Sequence, residues 1–135
     1  MALTDVLGGL QTLVAAVSGI KAAPTYMRDQ LAPMPFCVAY PKSGTYEMGA
    51  LGAYQVLHSI VLELHIPFVS LEASEKAALQ YADTVPQAIL ADPTFGGTID
   101  TFGGISYTFG MMRWGGFDTI GFRWTIEDVK CIIAI

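Results

Sequence analysis

The chain has 135 residues, of which 53% are hydrophobic and only 14% are charged, whereas a typical soluble domain carries about 25% charged residues. Its formal net charge is −5 and its seven Lys and Arg residues are scattered, which argues against a nucleic-acid-binding protein because such a protein presents a basic patch to the phosphates. The longest uncharged runs are Val6–Ile20 and Met48–Leu62, and both are shorter than the roughly 20 residues of a membrane span. We therefore expect one domain whose excess apolar surface is covered by other subunits and not by lipid.

The first predicted element is a helix over residues 4–18. Thr4 is the predicted N-cap, Asp5 suits the positive end of the helix dipole, and Gly19 is placed to end the helix. The apolar residues at helical spacing are Leu7, Leu10, Val14 and Val17.

Two strands are predicted after a connection that contains three prolines. Hydrophobic residues alternate in Pro35–Pro41 and again in Tyr54–Ile66, which is the pattern of strands with one face buried. The intervening Lys42–Ala53 (42–53) contains three glycines and no periodicity, so we expect a mobile hairpin loop there. The second face of the later strand still holds Leu57 and Val61, which indicates that this face is covered as well.

A second helical segment is predicted over Ser70–Ala91. Pro86 interrupts it, because proline removes a helical hydrogen bond and clashes with the preceding turn, so we expect either a kink or a second helix that begins at Pro86. The predicted buried stripe consists of Leu71, Ala78, Tyr81, Val85 and Ile89.

The last two predicted elements are the strands Ile105–Arg113 and Thr119–Ile133, joined by a turn over Trp114–Asp118. We expect one face of the first strand to hold Ile105, Tyr107, Phe109 and Met111, and one face of its partner to hold Ile120, Phe122, Trp124 and Ile126. The predicted fold class is α+β, a single domain over residues 1–135, in which helices pack on one face of an antiparallel β-sheet in the order α-β-β-α-β-β.

No catalytic, phosphate-binding or metal-binding motif occurs in the sequence, so an enzyme and a bound cofactor are not expected. Cys37 and Cys131 are isolated thiols without metal-ligand spacing, and we expect them to be buried and free rather than joined in a disulfide. Glu63 and His65 lie two residues apart on one strand face and could begin an acid–base or metal site if a third group joined them. The alternative to a structural protein is therefore a small ligand-binding or enzymatic α+β domain that uses His65 and Glu63.

Two segments carry a resemblance to a known family. The second helical region ends in I-L-A-D-P-T-F-G-G-T-I-D (Ile89–Asp100), and the last strand contains I-G-F-R-W-T-I-E-D-V-K (Ile120–Lys130). Together with the order and lengths of the elements over nearly the whole chain, these segments resemble the tail terminator and tail-completion proteins of long-tailed, lambda-type bacteriophages.

The resemblance implies a structural virion protein. A member of this family would form a homo-oligomeric ring, expected to be a hexamer, that caps the tail tube and stops its polymerisation. The ring would offer a joining surface to a head–tail connector or neck protein, and DNA would pass through its lumen only transiently. Such a protein would be assembled in the host cytoplasm and located in the virion at the head-proximal end of the tail, with no membrane partner.

The apolar composition and the family resemblance together predict which residues form subunit interfaces and which line the lumen. Apolar residues of the predicted loop and of the second strand face are interface candidates. The acidic residues of the second helical region are lumen candidates, because a negative lumen repels DNA phosphates. The candidates are Tyr46, Met48, Leu51, Leu57, Val61, Glu72, Glu75, Asp83 and Asp92.

Overall fold

The computed structural model describes residues 2–23, 34–48 and 53–134, with side chains described as far as Cys131. Its framework is an antiparallel four-stranded sheet in the order β1-β2-β4-β3, with helices packed on one face. The elements are α1 (Leu3–Ala15), β1 (Phe36–Met48), β2 (Ala53–Pro67), α2 (Leu71–Leu79), α3 (Tyr81–Ala91), β3 (Gly104–Trp114) and β4 (Phe117–Ala134). The predicted α+β class is confirmed, with the second helical segment divided into two helices.

The helical layer covers only part of the sheet. Helix α1 lies against β1, α2 lies against β2 and β4, and α3 packs on α1 and α2, whereas no helix makes a comparably extensive contact with β3. The core between the layers includes Leu10, Val85 and Ile89 from the helices and Leu62 and Trp124 from the strands. Edge strand β3 therefore extends beyond the cover that the helices provide.

The N-cap of helix α1 lies two residues before the predicted N-cap, and the helix ends at Ala15, three residues earlier than predicted. Ala2 is the N-cap, because its N–H donates to the Asp5 carboxylate (3.2 Å) and its carbonyl accepts the first helical hydrogen bonds. Thr4 therefore lies inside the first turn. A Cβ added at Gly9 would lie 2.3 Å from the carbonyl oxygen of Phe95, so this glycine allows the close approach of two backbone segments.

The break between α2 and α3 lies at Gln80 and not at Pro86, which is inside α3. Proline at position 86 cannot donate to the carbonyl of Ala82, and its ring crowds that carbonyl one turn upstream. The disturbance of the helix therefore falls near residues 80–82. Leu71 is also mispredicted, since it is 62% exposed, while Ala78, Tyr81, Val85 and Ile89 are buried as expected.

The prediction of a loop over Lys42–Ala53 is wrong for most of its length. Strand β1 continues to Met48, and β2 begins at Ala53, with pairs that run from Ser43↔Ser59 to Met48↔Tyr54. Backbone pairing extends beyond the amphipathic part of β1, where the sequence has no hydrophobic alternation to reveal it. Residues 49–52 lie outside the described residues.

The hairpin formed by β3 and β4 pairs the two apolar faces that the sequence predicts. Tyr107 lies opposite Trp124 and Phe109 opposite Phe122, with pairing unbroken from Gly104 to Trp114. The turn consists of Gly115 and Gly116 alone, with φ of 59° and 80°. Positive φ at both central residues is the signature of a type I′ turn, for which glycine is favoured.

Candidate functional site

A buried polar network occupies the sheet face opposite the helices, with Glu63 at its centre. Glu63 Oε1 lies 2.9 Å from Nε2 of His65, and Glu63 Oε2 accepts hydrogen bonds from the Tyr40 hydroxyl and from Nε of Arg123 at 3.0 Å. On its other side, Nδ1 of His65 lies 2.7 Å from the hydroxyl of Thr119. Strands β1, β2 and β4 thus contribute to one continuous chain of polar contacts.

Aromatic rings cover this network. The ring of Phe36 stacks on His65 with centroids 4.9 Å apart, and the indole of Trp114 lies 5.2 Å from the same imidazole. His65 and Thr119 are both fully buried as a result. On the second face of β2, the rings of Phe36 and Trp114 thus cover the side chain of His65.

The network stabilises the charge on Glu63. Burial favours the neutral acid and raises the pKa, but hydrogen bonds from His65, Tyr40 and Arg123 outweigh it, and the pKa of Glu63 falls to about 2. Burial and the neighbouring Glu63 carboxylate raise the pKa of Tyr40 to about 12. At neutral pH Glu63 is therefore ionised and Tyr40 remains a hydrogen-bond donor.

The carboxylate–imidazole–hydroxyl order of Glu63, His65 and Thr119 has the connectivity of a nucleophilic triad. A triad, however, must present its hydroxyl to a substrate, whereas Thr119 and His65 have no exposed surface and a ring lies on the imidazole. Thr119 is the third group that the sequence did not identify. Its contact with His65, however, completes a buried network in which these polar groups are paired with one another. This geometry supports a structural role better than a catalytic one.

The predicted interface residues fall into two groups. Tyr46 and Met48 are 69% and 86% exposed on β1, Leu57 is half-buried, and Leu51 lies outside the described residues. Val61 is only 4% exposed, because it lies between Tyr40 and Thr125 on the covered face. Val61 is therefore buried within the subunit, and little of its side chain is available to a neighbouring copy.

The predicted lumen residues also differ among themselves. Glu72 is exposed and forms an i,i+4 ion pair with Lys76 at 3.1 Å, Glu75 is half-buried, and Asp83 is exposed in the first turn of α3. The Asp92 carboxylate instead accepts hydrogen bonds from Thr94 and from the backbone N–H of Gly96. Asp92 is thus committed to a local turn after α3.

Three partly or largely exposed apolar side chains lie along edge strand β3, on residues that the sequence predicts to share one strand face. Tyr107 and Met111 are 65% and 53% exposed, and Phe109 lies between them on the same side of β3. The rings of Tyr107 and Phe109 rest on Phe122, at centroid distances of 5.6 and 4.9 Å. We call Tyr107, Phe109 and Met111 the β3 apolar strip.

The backbone of the same three residues forms the open edge of the sheet. In a two-residue hairpin the residues that flank the turn, here Trp114 and Phe117, exchange both backbone hydrogen bonds. Pairing is continuous along β3, so the even-numbered residues bond to β4 and the odd-numbered ones direct their N–H and C=O groups outward. Within the described part of the chain, the β3 apolar strip therefore combines exposed side chains with backbone groups that no other strand pairs with.

Among the described residues, no cluster of three or more His, Cys, Asp or Glu side chains is arranged to hold a metal ion. In the same part of the chain, no helix combines the length and hydropathy needed to cross a membrane. Cys37 and Cys131 are buried and free, as predicted.

Neither a protein-family model nor a curated protein matches this chain. Two features of the described residues stand out, the largely buried polar network on one face of the sheet and the apolar edge at β3.

Proposed function

We propose that this chain is a ring-forming structural protein of a bacteriophage tail. In this proposal six copies form a ring that caps the tail tube, stops its polymerisation and offers a surface for the connector or neck protein at the head. The observation that best supports the assembly of copies into a ring is the β3 apolar strip on an open sheet edge. Soluble monomers rarely leave such an edge uncovered, since it is a template for pairing with another chain.

The distribution of exposed apolar side chains supports more than one contact surface. A ring subunit makes two different lateral contacts with its neighbours, and a cap makes further contacts along the axis. The exposed large apolar residues occur in three regions, on β1, around the helices α2 and α3, and on the β3–β4 hairpin. They are Tyr46, Met48, Phe68, Val69, Leu71, Leu79, Leu90, Tyr107, Phe109, Met111 and Phe117.

The acidic helical layer supports a lumen through which DNA slides. Glu72 and Asp83 are exposed, and a surface of negative charge repels the phosphates of DNA and prevents retention of the cargo. Within this proposal Glu72, Glu75 and Asp83 remain lumen candidates. Asp92 does not, because its carboxylate is engaged in the turn that follows α3.

Electron microscopy of negatively stained samples tests the proposal, with the purified protein alone and mixed with isolated tail tubes. We expect closed rings of uniform diameter and rings bound at one end of each tube. Tyr107→Lys should abolish the rings, because it places a charge on the β3 apolar strip. Ser106→Lys is the matched control, since Ser106 is also exposed but lies on the opposite face of the same strand.

A protein that stays monomeric and leaves tail tubes unmodified would contradict the proposed function. Far-UV circular dichroism of both variants shows whether the fold is retained. Equal loss of rings in the Tyr107 and Ser106 variants, with the fold retained, would contradict the assignment of the interface to the β3 apolar strip.

A further inference from the structure

The two outer edges of the sheet differ in how well they are protected. At the β1 edge, the N–H of Cys37 donates to the carbonyl of Ala22 at 3.0 Å, so the start of β1 is already paired. Pro41 then removes a donor, and a register irregularity lies between Pro41 and Ser43. These are the devices that natural proteins use to prevent edge pairing.

The β3 edge carries none of these devices. Its 11 residues contain no proline, its register with β4 is unbroken, and its only charged residue is Arg113 near one end. The residues whose backbone groups are directed outward are also those of the β3 apolar strip. This edge therefore has the chemistry of a receptor for an extended strand.

A segment with matching chemistry exists on the same chain. Ser43–Met48, the distal half of β1, is the longest other strand segment in the described part of the chain with an open edge, and each of its residues is exposed. Tyr46 and Met48 offer large apolar side chains, and Glu47 is its only charge, opposite in sign to Arg113 of β3. At about 3.3 Å per residue, six residues need about 20 Å, which fits within the roughly 36 Å length of β3.

We propose that the open edge of β3 receives the distal half of β1, Ser43–Met48, from a second copy of this chain. Each copy then has one donor segment and one receptor edge, so the contact is heterologous. Heterologous contacts close into rings when the rotation between copies allows it. The inference rests on the proposed function for the closure of the ring, and it adds which strand of one copy meets which strand of the next.

Cysteine cross-linking tests the pairing directly, because the native Cys37 and Cys131 are buried. Single variants carry a cysteine in the donor segment, Tyr46→Cys or Met48→Cys, or on the receptor edge, Tyr107→Cys, Phe109→Cys or Met111→Cys. Mild oxidation of a donor–receptor mixture should give a disulfide-linked dimer for at least one pair. Val69→Cys mixed with the receptor variants is the control, since Val69 is exposed at 82% but lies outside both strands.

A second pair of variants isolates the contribution of the backbone edge. Met111→Ala and Met111→Pro both remove the methionine side chain, but only proline removes the outward N–H. Proline is tolerated on an edge strand when its nitrogen faces away from the sheet. The apparent dissociation constant of the oligomer should be about tenfold higher for Met111→Pro than for Met111→Ala, the effect of one lost hydrogen bond.

The outcomes separate this inference from the proposed function. Receptor variants that cross-link only to themselves would show β3–β3 pairing and overturn the donor assignment. Rings that cap tail tubes but give no donor–receptor cross-link would overturn the inference and leave the proposed function standing. A monomeric protein without cross-links would overturn both.

Discussion

Acid should weaken the fold through Glu63 in particular, and the structure predicts by how much. The pKa of Glu63 is lowered from 4.5 to about 2 in the folded protein. A carboxyl group with a lowered folded-state pKa stabilises the fold fully above its unfolded pKa and loses that contribution as the pH falls. At 1.36 kcal/mol per pKa unit, the contribution is about 3 kcal/mol, of which about 2 kcal/mol should be lost between pH 7 and pH 3.

The variant Glu63→Gln keeps the size of the side chain but cannot be ionised. Urea unfolding of wild type and variant at pH 7 and pH 3 gives the difference in their free energies of unfolding at each pH. That difference should be about 2 kcal/mol smaller at pH 3 than at pH 7, because only the wild type loses the stabilising charge.

Glu72→Gln is the matched control for this experiment. The side chain of Glu72 is 82% exposed and paired only with Lys76, so its removal should change the pH dependence by less than about 0.5 kcal/mol. A Glu63→Gln variant whose stability runs parallel to that of the wild type from pH 7 to pH 3 would refute the account of the buried network.

Two further predictions concern the packing of the core. Gly8→Ala should stabilise the protein by about 0.5–1 kcal/mol in thermal or urea unfolding, because a Cβ at Gly8 meets no atom within 4 Å and alanine favours the helix. Gly9→Ala should destabilise the protein by about 1–3 kcal/mol, since the added Cβ would lie 2.3 Å from the carbonyl oxygen of Phe95. Equal effects at the two positions would contradict the close packing of α1 against Phe95. The Cys37 thiol should react with a thiol reagent at least about 1,000 times more slowly in the folded protein than in urea. The reason is that the thiol is fully buried and that burial raises its pKa. Rapid labelling at neutral pH would show that this part of the core is open.

The elements with a strong hydrophobic period were predictable from the sequence. Alternation in Ile105–Arg113 and Thr119–Ile133 predicted both closing strands, and the order of helices and strands predicted the fold class. The strand over Lys42–Met48 was not predictable, because its residues are exposed on both faces and alternation is lost where nothing is buried. The position of the helix break was missed because proline disturbs the carbonyl one turn upstream of its own position. The break therefore lies at Gln80 and not at Pro86.

The candidate sites were predictable only in part. Glu63 and His65 were identified from their spacing on one strand, but Tyr40, Thr119 and Arg123 join them through strand register that spans up to 60 positions in sequence. The exposure of the β3 apolar strip was not predictable, because its alternation matches that of a buried face. Its exposure depends on β3 being an edge strand beyond the helical layer, and strand order is not encoded in local periodicity.

The molar mass of the protein in solution tests the central claim, that the apolar excess and the open β3 edge are a subunit interface. Light scattering coupled to size-exclusion chromatography, over a hundredfold range of protein concentration, measures this mass. The account predicts a closed species of fixed mass, six times the 14.5 kDa subunit or about 87 kDa, and a shift toward smaller species for Tyr107→Lys. A wild-type protein that remains a 14.5 kDa monomer over the whole range, alone and beside tail tubes, would contradict it.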